Sequence, residues 1–284
     1  FSPPRVGQEA AKFGMNVGDA MDLTTGWDFN ILEHRQKGED YVDREKPLVL
    51  IGSPPCVAFS PLQTLNPDNE RKAMQLAEGI RHMEFVAKLY RKQIEGDRVF
   101  LHENPAHAKS WALPCIRRVA RETGVDIVVA DQCMFGLRTW GSSKTQLVLA
   151  KKPTKFMTNS RSVGNELRRK CDGSHQHQML LDGRAKEAAR YPPALCRAIC
   201  RGIAKEKMQR QMGLRVVMDV GEGFHRRKID TRQIMRIIVP RSKDSYVDSS
   251  RRRSWGPVPV KPRMAIRVPL PDPLSQDRGN RCCV

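Results

Sequence analysis

The stretch Leu48–Ser60, LVLIGSPPCVAFS, constrains the fold more than any other part of the chain. Leu48–Ile51 is a short apolar run of the kind that forms a strand buried on both faces. Gly52-Ser53-Pro54-Pro55 must end it, because two consecutive prolines bring no amide hydrogens to a sheet ladder. Cys56 follows at the mouth of the turn, with Phe59 and Ser60 behind it. In an open α/β sheet, ligands gather outside the carboxyl ends of the strands. A thiol held there by prolines is a candidate nucleophile. The plainer alternative is a small apolar residue closing the strand.

The 284 residues carry a formal net charge of +19, unevenly spread. Residues 205–284 hold 19 Lys/Arg against 8 Asp/Glu, so more than half of the excess lies in the last part of the chain. Such a balance suits a polyanionic partner, nucleic acid first and an anionic membrane surface second, although a solvated basic tail has the same composition. No apolar run approaches the roughly 20 residues of a membrane-spanning helix, and no signal peptide is visible. The 8 cysteines are scattered among helix-like and strand-like segments, which reads as reduced thiols in an intracellular protein. The start at Phe1, without an initiator methionine, reads as that of a fragment.

Taken in order, the pattern predicts a helix from Gly7 to about Phe13 and a possible short strand over Val17–Leu23. A polar turn, Thr24–Asp28, and a charge-dense surface segment, His34–Lys46, come next. After the Leu48–Ile51 strand, Leu76, Ile80, Met83, Ala87 and Tyr90 repeat at spacings of four and three, which predicts a helix from Asp68 to about Gln93. Strands are expected at Arg98–His102, Asp126–Ala130 and Gln146–Ala150, with a helix at Leu113–Thr123. Pro192-Pro193 starts a final helix running to Ala204. Alternation of strand and helix predicts an α/β fold with a doubly wound, mostly parallel sheet over residues 1–207. Residues 208–239 read as a linker with possible strands at Gln211–Val220 and Gln233–Val239, and 240–284 as a basic Pro/Arg/Ser-rich, irregular tail.

SPPCVAFS at 53–60, HENP at 102–105 and the later MFG…SSKTQLVLA resemble the DNA cytosine-C5 methyltransferase family, and most of all its short phage-like and copia-type retroelement-associated relatives. The resemblance covers roughly residues 1–204. It implies a class I, Rossmann-like methyltransferase fold, S-adenosylmethionine as cofactor, DNA as partner and a nuclear location. It implies Cys56 as the nucleophile, Glu103 as the acid beside the base and Lys144 as the cation near the cytosine carbonyl and phosphate; independently of the resemblance, the basic side chains of Arg138 and Lys144 suit contacts to the DNA backbone. Phe1, Ser2, Asp22, Asp28 and Pro54 would hold the cofactor, Asp22 at the ribose and Asp28 near the adenine amine. The chemistry is coherent on its own terms. C5 of cytosine is a weak nucleophile, and thiolate attack at C6 makes it enamine-like. An acid at N3 accommodates the charge that develops, and the target base must leave the duplex stack.

This chain departs from the family in Val57 for the usual Gln, Pro105 for the usual Val, and Pro3-Pro4 in the cofactor loop. Two other readings stay open. SPPC also matches three of four positions of the Asn/Asp/Ser-Pro-Pro-aromatic loop of amino-methyltransferases acting on adenine N6 or cytosine N4, which need no thiol. Alternatively, the chain is a nucleic-acid-binding relic of the fold within a retroelement polyprotein. Cys171, His175 and His177 suggest zinc with Cys196 or Cys200 as a fourth ligand. Because Cys-x3-His-x-His is not a standard spacing, the expectation is a polar loop and no metal. Ser249–Trp255 reads as solvated linker, and Cys282-Cys283 lacks the prenylation pattern.

Overall fold

The computed structural model describes residues 5–143, 145–181 and 183–212. The strand expected at Leu48–Ile51 is β1 (Val49–Gly52), but it is half-buried at the edge of the sheet and not buried on both faces as expected; β2 (Val99–Pro105) and β3 (Asp126–Asp131) follow at the other expected places. β4 (Arg138–Trp140) and β5 (Leu147–Leu149) form a separate two-stranded hairpin, and β6 (Pro153–Thr158) returns to the main sheet. The sheet order is β1-β2-β6-β3, with β1 and β2 parallel and β6 antiparallel to both β2 and β3. Three strands therefore point one way and the fourth is reversed between two of them.

The fold is α/β, as the alternation predicted, but two details of the sheet differ from expectation. The strand expected at Gln146–Ala150 pairs with β4, Trp140 opposite Leu147, and not with the sheet. The fourth sheet strand begins with a proline and mixes polar with apolar residues, so it lacks the apolar run that marks a strand buried on both faces. Proline at the first strand position removes no ladder bond that the strand needs.

Period-2 alternation sends side chains to two helical layers. Leu50, Phe100 and Met157 face α3 (Glu70–Glu95) and α4 (Pro114–Ala120). Val49, Ile51, Leu101, Val128 and Phe156 face α1 (Arg5–Lys12), α5 (Arg161–Leu167) and α7 (Pro193–Gln211). Phe100 and Phe156 are fully buried, each contributing about 1.5–3 kcal/mol of transfer free energy. α5 and α7 approach so closely that a Cβ on Gly202 would stand 2.6 Å from the Val163 Cα.

Other expectations shift by local chemistry. Leu76 is exposed, and the buried face of α3 starts beyond it, with Met83, Ala87 and Tyr90 in the core. Val17–Leu23 is not a strand; Asp22 caps a 3-10 turn, Leu23–Thr25. The charged segment at 34–46 forms α2 (Leu32–Glu45), which docks through buried Val42 and through Glu39 and Asp43 paired with Lys88 and Lys92 of α3. A one-turn helix, α6 (Arg184–Glu187), precedes α7, which runs past the boundary expected at 207. The expected strands beyond Gln211, the irregular tail 240–284, Ser249–Trp255 and Cys282-Cys283 lie outside the described residues. No described helix is long and apolar enough to cross a membrane.

Candidate active site at the ends of β1 and β2

β1 stops at Gly52, opposite His102, whereas β2 continues through Glu103-Asn104-Pro105 along β6. The chain after Gly52 therefore turns over the projecting end of β2. Asn104, fully buried, fixes this turn: its Nδ2 donates to the Pro54 carbonyl at 3.3 Å and to the Glu103 carbonyl at 2.8 Å. Ser110 Oγ donates to Asn104 Oδ1 at 3.1 Å and sets the amide's orientation. Pro54, expected to touch the cofactor, is buried here as the acceptor of that bond.

Cys56 is half-buried at the start of a 3-10 turn, Val57–Phe59. Phe59 anchors the turn beneath α3, where a Cβ on Gly79 would stand 3.0 Å from its ring. Ser60 Oγ accepts from the Leu62 amide and starts the next 3-10 turn. Burial raises the Cys56 thiol above its usual pKa, the nearby Glu103 carboxylate raises it further, and the Lys152 ammonium opposes both. The two residues that the sequence picked out thus stand within each other's field.

Glu103 is 7% exposed, and its Oε1 has no hydrogen-bond partner among the described residues. Alternation along β2 sends it, like Leu101, toward the α7 layer, where Tyr191 is buried just before the helix. Burial holds the Tyr191 phenol well above its usual pKa, with the Glu103 charge and a hydrogen bond to Glu103 adding to it. Ser53 and Tyr191 share a hydrogen bond of 2.6 Å, and Arg5 of α1 donates to the Tyr191 carbonyl. Behind the site, Tyr90 meets His102 Nδ1 at 3.0 Å, and burial lowers the His102 pKa to about 3. That imidazole is neutral.

The remaining expected residues fall elsewhere or are not described. Asp22 Oδ1 accepts from the Thr24 amide and hydroxyl at 2.9 and 2.6 Å. Its carboxyl sits below the usual range: burial works against ionisation, and the hydrogen bonds from Thr24 outweigh it. Asp28 Oδ1 accepts from the Asn30 amide at 2.9 Å. Both acids thus brace the turns ahead of α2. Arg138 is exposed on β4 and donates to the Leu147 carbonyl. Phe1, Ser2 and Lys144 lie outside the described residues.

Compared with protein-family models, curated proteins and solved structures, the chain matches none. The site therefore rests on its own geometry. Sequence reasoning missed Lys152, Tyr191 and Ser53. Lys152 directly precedes the unrecognised β6, and a lone lysine or tyrosine carries no pattern. A groove between α3 and α4, lined by Glu84, Lys88, Arg91 and Arg118 among others, includes none of these residues.

A second cluster lies at the carboxyl end of β3. Ligand-type atoms of Cys133, Cys171, His175 and His177 are all within 4.8 Å of one another. The fourth member is Cys133, not Cys196 or Cys200, which are buried in α7.

Proposed function

We propose that the chain transfers a methyl group from S-adenosylmethionine to C5 of cytosine in DNA, on a class I methyltransferase fold. The observation that carries this reading is the meeting of Cys56 and Glu103 at the carboxyl ends of two parallel neighbouring strands. Parallel strands lie about 4.8 Å apart, so groups on their ends can address one planar ring.

Bound S-adenosylmethionine would supply an electrophilic methyl group, held by Asp22 at the ribose and Asp28 at the adenine. Cys56, as thiolate, forms an S–C6 bond to a cytosine turned out of the stack. Glu103, in its acid form, donates its O–H to N3 while electron density moves to C5, and holds that proton again once the S–C6 bond breaks. Once C5 carries the methyl, its hydrogen leaves as a proton to water and the S–C6 bond breaks, restoring the thiolate. Lys152 favours the ionised sulfur, and Tyr191 with Ser53 holds the acid and the turn in place. The basic chain favours the DNA backbone without reading sequence.

A second reading has one observation in its favour: Asp22 and Asp28 already serve their own turns. On that reading the fold binds nucleic acid without a donor. Incubation of the full chain with isotopically labelled S-adenosylmethionine and duplex DNA, followed by nucleoside analysis, decides. 5-Methylcytosine that disappears with Cys56→Ala supports the proposal. N-methylated bases that survive Cys56→Ala indicate the amino-methyltransferase chemistry, and no donor binding at millimolar concentration leaves the relic.

A further inference from the structure

Leu167 ends α5 and Arg184 starts α6; the described residues between them form neither helix nor strand. Loops of that length without secondary structure are uncommon in compact domains unless something ties them down. Two backbone contacts bring this one to the end of β3. The Asp131 amide donates to the Arg169 carbonyl, and the Cys171 amide donates to Asp131 Oδ2, both at 2.9 Å. Cys171 thereby faces Cys133, the buried cysteine of the 3-10 turn that follows β3.

The loop then folds back on the sulfur. Cys171 Sγ lies 3.6 Å from His175 Nε2 and 3.4 Å from His177 Nε2, and the two rings meet edge to face with centroids 4.5 Å apart. The Gly173 amide points at the same sulfur, 3.3 Å away. Zinc bound at about 2.3 Å to sulfur and about 2.0 Å to nitrogen separates tetrahedral ligand atoms by roughly 3.3–3.8 Å. The sulfur–nitrogen spacings here fall in that range. Two sulfurs and two imidazole nitrogens, with no oxygen among them, are the donor set that selects zinc.

We propose that Cys133, Cys171, His175 and His177 bind one zinc ion, and that this ion pins the segment after α5 to the end of β3. Four protein ligands leave no position for water or substrate, so the site is structural and not a Lewis acid. Asp131 acts behind the ligands by holding the Cys171 backbone, the kind of supporting contact that metal sites use. The inference reverses the expectation of a metal-free polar loop, and it stands whether or not the chain transfers methyl groups.

The test is elemental analysis of the full chain, purified anaerobically from zinc-supplemented cells. About one zinc per chain is expected, falling below about a tenth in Cys133→Ser and Cys171→Ser and unchanged in Cys115→Ser. Because the cysteine variants could misfold, cobalt(II) added to the metal-free wild-type chain gives a second readout. Intense visible ligand-field bands of a tetrahedral sulfur–nitrogen site, displaced by zinc, are expected. A wild-type chain without zinc, a weak octahedral cobalt spectrum, full zinc retained in Cys171→Ser, or a Cys133–Cys171 disulfide in the purified chain would each overturn the proposal.

Discussion

The Ser53 and Tyr191 hydroxyls lie 2.6 Å apart, which fastens the turn carrying Cys56 to the segment that starts α7. Tyr191 is buried, so its ring packs in either case and the hydroxyl is the separable part. Ser53→Ala and Tyr191→Phe should each cost about 1 kcal/mol in chemical denaturation. Both changes remove the Ser53–Tyr191 bond, and Tyr191→Phe also removes the bond of the phenol to Glu103, so the double variant should cost about as much as Tyr191→Phe alone. Strictly additive losses would show that the two hydroxyls do not act on each other.

The field at Cys56 has opposing sources that variants can separate. Burial and Glu103 raise the thiol pKa and Lys152 lowers it. Removing the Glu103 charge with Glu103→Gln should move the midpoint of iodoacetamide alkylation of Cys56 to lower pH and speed the reaction at neutral pH. Lys152→Met should move the midpoint the other way. Alkylation followed by mass spectrometry across a pH series reads both shifts, and equal midpoints in all three proteins would separate Cys56 from the two charges.

Gly52 is fixed by its neighbours and not by its backbone angles. A Cβ there would stand 1.9 Å from the Tyr90 hydroxyl and 2.9 Å from the ring carbon that bears it. The same hydroxyl bonds to His102, so it cannot move aside without orphaning a buried ring. Gly52→Ala should destabilise the fold by about 1–3 kcal/mol. Adding Tyr90→Phe should recover only part of that loss, since the ring carbons remain too close.

His102 predicts an acid sensitivity. Its folded pKa is about 3 because of burial, against 6.5 for an ordinary histidine. Between those values the unfolded chain holds a proton that the folded chain does not, so stability rises with pH. The contribution is complete above about pH 6.5 and is lost as pH falls toward 3, at up to about 1.4 kcal/mol per pH unit. His102→Gln should be less stable at neutral pH, and its deficit relative to wild type should shrink as pH falls through this window. A deficit independent of pH would place a charged imidazole in the core.

Much of this was legible in the residues. Val49–Ile51, Val99–Leu101 and Ile127–Ala130 are apolar runs bounded by turns, which is enough to mark a strand; only the second is fully buried, since β1 and β3 lie at the edges of the sheet. Cys56 and Glu103 were found because each follows such a run directly. β6 was hidden, since Pro153, Thr154, Lys155 and Thr158 dilute its apolar character. Lys152 and Tyr191 are brought to the site by tertiary folding alone. Cys133 joins His175 and His177 for the same reason: β3 and the loop after α5 meet through two bonds of Asp131, its amide to the Arg169 carbonyl and its carboxylate to the Cys171 amide.

The central claim is that one thiol and one carboxyl group act on a single cytosine, and covalent trapping tests it most directly. Duplex DNA containing 5-fluorocytosine, incubated with the full chain and S-adenosylmethionine, should yield a stable adduct. Peptide mapping should place it at Cys56; it should require the donor, be absent from Cys56→Ala and be strongly reduced in Glu103→Gln. No adduct under conditions where the DNA is bound, or an adduct that persists in Cys56→Ala, would contradict the account.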